Sequence, residues 1–156
     1  MATVTRRATP HDAARIAELL HAFNTEFDTE TPGVAVLAER LRTLLDGSST
    51  FAVLGGDSAV GLALVTLRPN VWSEGPVALL DEMYVDPAHR GGGVGSAILR
   101  HMVEICRDLG AAAVEINVDE SDAGAQRFYE RHGFRGTDPD SGERAFYFYR
   151  ALEAAN

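Results

Sequence analysis

The 156-residue chain has one cysteine and no lysine. A lone Cys106 excludes an internal disulfide framework and a cysteine-rich zinc site, and it points to a reducing, cytoplasmic setting. Without lysine there is no ATP-type phosphate loop, which ends in Gly-Lys-Ser/Thr. Apolar runs are short, Val77-Ala78-Leu79-Leu80 being typical, so no membrane span is expected. Met1 to Arg7 hold no apolar stretch after their basic pair, so no secretory leader is expected. His11, His21, His89, His101 and His132 show no ligand spacing, and no metal is expected. Positive charge is scarce as well. Fourteen arginines face 23 Asp and Glu, a net charge of −9. Such a chain is a poor general partner for nucleic acid. It suits a cationic small molecule better, although acidity serves solubility equally well.

The length favours one domain over 1–156, and 46% hydrophobic residues can sustain its core. A short strand is expected over 3–8. Thr9-Pro10-His11-Asp12 reads as a helix start, followed by Ala13, Ile16, Leu19, Leu20 and Phe23 at helical spacing. A second helix is expected over 34–45. Runs at 50–54 and 59–68 flank Gly55-Gly56-Asp57-Ser58, a hairpin signal. A loop with Trp72 leads to a strand over 76–85. A helix follows over 94–109, with Cys106 on its inward side as a core thiol. A strand over 112–118, a helix over 122–132 with a Gly133-Phe134 cap, and a strand around 144–151 complete the chain. This α/β order predicts a central mixed sheet with helices on both faces.

The informative stretch is Asp81 to Ser96. A strand runs into Arg90-Gly91-Gly92-Gly93-Val94-Gly95-Ser96, and that turn opens a helix. Free N–H groups at a helix start, together with the helix dipole, attract anions, and glycines let backbone approach phosphate oxygens. The dinucleotide G-x-G-x-x-G is not matched in register.

Arg90-Gly91-Gly92-Gly93-Val94-Gly95 resembles the Arg/Gln-x-x-Gly-x-Gly/Ala signature of the GNAT acyl-CoA N-acyltransferases. Asp122-x-x-Ala125-x-x-Phe128-Tyr129-x-x-x-Gly133-Phe134 is similar to a second segment of that family, with Asp122 where asparagine is usual. The resemblance implies a mostly antiparallel sheet with splayed middle strands. It implies acetyl-CoA as cosubstrate, its pantetheine along the strand Met83-Tyr84-Val85 and its pyrophosphate on Gly91 to Ser96, with Arg90 and Asp122 nearby. Val85 would offer an N–H to the thioester carbonyl, and Tyr129 would be the general acid. A homodimer is frequent among similar proteins.

Asp81 and Glu82 interrupt an apolar strand, where carboxylates are unfavourable away from a cleft. In an unbulged strand they point to opposite faces. Glu82 is the preferred general base, acting through a water and sharing its face with Tyr84. Asp81 is its rival and Glu115 a third candidate, while Asn117 cannot take a proton. Phe23, Glu26, Phe27, Asp28 and Glu30 mix aromatics with carboxylates, and with Trp72 and Asp81 they suggest a site for a cationic small-molecule amine. A solvated acidic loop fits that segment equally well. The expected reaction is acetyl transfer to a primary amine by direct attack in a ternary complex. A protein or peptide acceptor, and a non-catalytic acyl-CoA sensor, remain alternatives.

Overall fold

A computed structural model describes residues 2–153. The chain forms two compact units, one ending at Ile116 and the other beginning at Asn117.

The first unit is a five-stranded sheet in the order β1-β2-β3-β4-β5. Its strands are β1 (Thr5–Arg7), β2 (Thr50–Gly55), β3 (Gly61–Arg68), β4 (Val77–Val85) and β5 (Ala113–Ile116). Neighbours pair antiparallel except β4 and β5, which run parallel. Three helices join them: α1 (Ala13–Glu26), α2 (Val34–Asp46) and α3 (Val94–Asp108). Pro10–Asp12 forms a single 3-10 turn ahead of α1, where Thr9 N–H donates to the Asp12 carboxylate (2.8 Å).

Strand alternation sorts the core into two layers. Ala52, Leu54, Leu62, Leu64 and Tyr84 form one cluster with Ala13, Ile16, Ala17 and Leu19 of α1 and Ala38 and Leu41 of α2. The opposite face presents Phe51, Val53, Ala63 and Val65, all buried, toward α3, whose Ile98, Leu99, Met102 and Cys106 are buried too. The fit is close there. A Cβ at Gly55 would stand 2.6 Å from the Ile98 side chain. The α3 stripe is therefore Ile98-Leu99-Met102-Cys106, while Leu109, just past the helix end, is exposed.

The second unit holds α4 (Ala123–Arg131). The strand expected around 144–151 does not form: no residue there is in a ladder. Phe146, Tyr147, Phe148 and Tyr149 are consecutive aromatics, so they lack the in-out alternation of a half-buried strand, and all four are exposed. Among the described residues no helix is long and apolar enough to cross a membrane.

Candidate active site

The site begins with an irregularity in β4. Val65 faces Leu80 across the β3–β4 ladder, and Leu64 faces Glu82, so Asp81 is a surplus residue. This β-bulge changes which face each side chain takes. Leu80 and Ala78 face the α3 side. Glu82, opposite Leu64, joins Leu62 and Tyr84 on the side of α1 and α2. Opposite faces for Asp81 and Glu82 are expected only in an unbulged strand, and the bulge removes that condition. Thr66 Oγ1 donates a hydrogen bond to Asp81 Oδ2. Desolvation first, and the nearby Asp81 charge second, push the Glu82 carboxyl above its ordinary range. Thr66 had no motif to mark it; only the ladder register brings it to Asp81.

The bulge coincides with a second change. The parallel ladder with β5 runs from Val77↔Ala113 to Leu80↔Ile116 and stops. From Asp81 to Val85, the β4 edge away from β3 has no ladder partner among the described residues. Asp86 N–H donates to Val60 O at 2.8 Å, which directs Asp86 and Tyr84 toward β3. Alternation then turns the N–H and C=O groups of Met83 and Val85 to the open edge.

Downstream of β4 a 3-10 turn, Pro87–His89, leads to the glycines; Ala88 N–H donates to Asp86 Oδ1 (2.9 Å). Gly91 and Gly93 have φ of 80° and 88°, a region that favours glycine. A Cβ on Gly91, Gly92 or Gly93 would meet nothing within 4 Å. The turn is therefore an open surface of backbone at the start of α3, and no side chain caps Gly93. These features fit the pyrophosphate of an acyl-CoA, because helix geometry leaves the Val94 and Gly95 N–H groups without intrahelical acceptors.

Arg90 and Glu26, singled out separately in the sequence, lie together. Arg90 Nη1 and Nη2 donate to Glu26 Oε2 and Oε1 at 3.0 and 2.8 Å. Arg90 Nε donates to Val85 O at 2.9 Å, and the guanidinium lies 5.4 Å from the Tyr84 ring centroid. Tyr84 Oη donates to Glu26 Oε1 (2.9 Å), and its ring stacks on Phe23 at 4.9 Å. The Arg90 hydrogen bonds hold the Glu26 carboxyl below its usual range. Desolvation, then the Glu26 hydrogen bond, raise the Tyr84 phenol. Phe27 packs edge-on against Phe23 (5.5 Å) while remaining exposed, as are Asp28 and Glu30. Trp72 is 92% exposed, on a loop braced by Asn70 Oδ1, which accepts from Trp72 N–H (2.8 Å). Glu115 pairs with Arg68 at 3.4 Å.

In the second unit, Asp122 Oδ1 accepts from Ala125 N–H (3.0 Å) and caps α4. The other end of α4 sets Tyr129. Gly133 has φ 87°, Gly133 N–H donates to Glu130 O (3.1 Å), and Phe134 N–H donates to Tyr129 O (3.1 Å). This is the Schellman pattern, completed by the Tyr129–Phe134 ring contact at 5.8 Å. Asn117 is exposed. Among the described residues no cluster of His, Cys, Asp or Glu could hold a metal ion. An open hollow of about 550 Å³, lined by Pro10, His11, Ala14, Arg42, Thr43 and Asp46, contains none of the candidate catalytic, cofactor or acceptor residues.

The acetyltransferase (GNAT) family pattern matches residues 13–134, so this chain belongs to the GNAT acetyltransferase family. It is an acetyltransferase of the type that takes acetyl-CoA as cosubstrate. An aminoglycoside N(6')-acetyltransferase type 1 of Stenotrophomonas maltophilia is 33% identical over 153 residues, covering 95% of this chain and 93% of its own. A streptothricin acetyltransferase of Streptomyces lavendulae is 31% identical over 110 residues, 64% of this chain and 56% of its own. A protein of known crystal structure from Arthrobacter sp. FB24 superposes with a TM-score of 0.89 at 51% identity, covering 96% of both chains.

Proposed function

We propose that the enzyme acetylates a primary amine of a small cationic acceptor by direct attack in a ternary complex. The observation that carries this reading is the open β4 edge, which begins at two adjacent carboxylates and ends at an open glycine turn. Met83 and Val85 offer backbone groups to the pantetheine chain, and the turn from Gly91 to Ser96 offers a seat for the pyrophosphate. The Val85 N–H is the donor for the thioester oxygen; comparable donors elsewhere are worth roughly 3 kcal/mol. Glu82, with its raised pKa, accepts the amine proton through a water. The nitrogen bonds to the acetyl carbon, the carbon–sulfur bond breaks, and Tyr129 supplies the proton for the departing sulfur. Asp81, Phe23, Phe27 and Trp72 are the acceptor-side residues.

A cationic acceptor is supported by the net charge of −9 and by relatives named for aminoglycoside and streptothricin acetylation. The experiment is coenzyme A release across aminoglycosides, polyamines, amino acids and peptides. The chain has no lysine side chain to acetylate, which limits background from self-modification. Turnover is expected to be highest with polycationic amines. Tyr129→Phe should lower kcat on the order of 10²-fold or more while changing acetyl-CoA affinity little. Coenzyme A binding with no turnover on any amine would instead identify a sensor.

A further inference from the structure

Glu26 sits where a carboxylate is electrostatically misplaced. It is the last residue of α1, and a helix C-terminus carries partial negative charge. Its oxygens receive the two-pronged Arg90 fork and the Tyr84 hydroxyl. A planar guanidinium matched to a carboxylate in this way is directional as well as attractive. The third Arg90 donor, Nε, is fixed on Val85 O, the last carbonyl of β4 and one that faces the open edge. Arg90 also immediately precedes Gly91. One side chain therefore ties three things together: the end of α1, the last peptide of β4, and the entry to a turn where a Cβ on Gly91, Gly92 or Gly93 would meet nothing within 4 Å.

We infer that the Glu26–Arg90 pair is a clasp that positions the glycine turn and the β4 terminus for coenzyme A, with Arg90 acting through backbone geometry. The inference rests on the reading that the pyrophosphate docks at this turn. It assigns both residues a role other than ligand contact. Arg90 is committed to Glu26 and Val85, so its charge is not available to phosphate. The Glu26 charge is likewise answered within the protein and not left for the acceptor. An open, glycine-rich backbone costs more conformational entropy to order than any other, so a tether at its first residue lowers the cost of binding.

The test is a double-mutant cycle on coenzyme A affinity, measured by isothermal titration of Glu26→Gln, Arg90→Gln and the double variant, with thermal melts on each. Each single variant is expected to weaken coenzyme A roughly 2- to 30-fold. The double variant is expected to be no weaker than the worse single one, because both break the same tie. Arg90→Lys, which keeps the charge and loses the fork, should resemble Arg90→Gln. A direct phosphate contact gives the opposite signs: Glu26→Gln would free the cation and tighten binding, and Arg90→Lys would retain most affinity. Either result overturns the clasp, as do additive losses or melting temperatures that fall with affinity unchanged. If the wild-type protein does not bind coenzyme A, the docking reading fails, and the clasp with it.

Discussion

Glu82 and Asp81 are adjacent, and the Asp81 charge adds to the desolvation that disfavours the Glu82 carboxylate. Desolvation and the Asp81 charge hold the Glu82 carboxyl above its ordinary range, so a base at this position loses its proton later than a free glutamate. Activity should rise as pH increases through that raised value. Asp81→Asn removes the like charge, and the acidic limb of a kcat–pH profile should move to lower pH. Glu82→Gln should lower kcat on the order of 10²-fold or more, with the acetyl-CoA KM little changed. The stability effect has the opposite sense from a salt bridge. The folded protein holds this proton more tightly than the unfolded chain, so the contribution to stability falls as pH rises through the window between the two values. Thermal melts at neutral pH should show Glu82→Gln no less stable than wild type. Asp12 is the contrary case. Its hydrogen bond with Arg6 lowers it to about 2, so its contribution is present above the ordinary aspartate range and fades as pH falls toward that value.

The helices and the glycine turn were legible because their chemistry is local. Thr9-Pro10-Asp12, the apolar stripes and Gly133-Phe134 each carry their own geometry, and the elements stand within a few residues of where those signals place them. The bulge was not legible. Period two groups Glu82 with Ala78 and Leu80; only pairing with β3 shows that Asp81 is surplus and that Glu82 has changed sides. The clasp was hidden for a similar reason, since Glu26 and Arg90 are 64 residues apart. The aromatic run at 146–149 misled in the other direction: β-forming residues make a strand only where a ladder exists to receive them. At the turn, Gly92 offers the cleanest probe. A Cβ there meets nothing within 4 Å, and unlike Gly91 and Gly93 its φ is not in the left-handed range. Gly92→Asp should therefore fold normally and weaken coenzyme A sharply by placing negative charge where the phosphate is proposed to dock. A calorimetric titration giving wild-type affinity would remove the turn from the binding site.

At the scale of the whole molecule, the net charge of −9 acts with opposite signs on acetyl-CoA and on the cationic acceptor proposed above. Acetyl-CoA is an anion and must approach against that field; a cationic amine approaches with it. Salt screens both effects over a Debye length of about 8 Å at physiological ionic strength. Raising ionic strength should increase KM for a cationic acceptor, and leave unchanged or lower KM for acetyl-CoA. Steady-state kinetics across a salt series would show the divergence. Acceptor KM values that do not respond to salt would mean that the acceptor is neutral or that its contacts are not ionic.

The open β4 edge also sets a clock on individual amide protons. Tyr84 turns its N–H toward β3, while Met83 and Val85 turn theirs to an edge with no ladder partner among the described residues. Within three consecutive residues, hydrogen exchange in the free protein should therefore run fast, slow, fast, although all three belong to one strand. Coenzyme A, laid along that edge, should slow the Met83 and Val85 amides toward the rate of Tyr84. Residues 77–80, already paired on both sides, should scarcely notice. The protein would then report its ligand as the loss of an alternation, read one amide at a time.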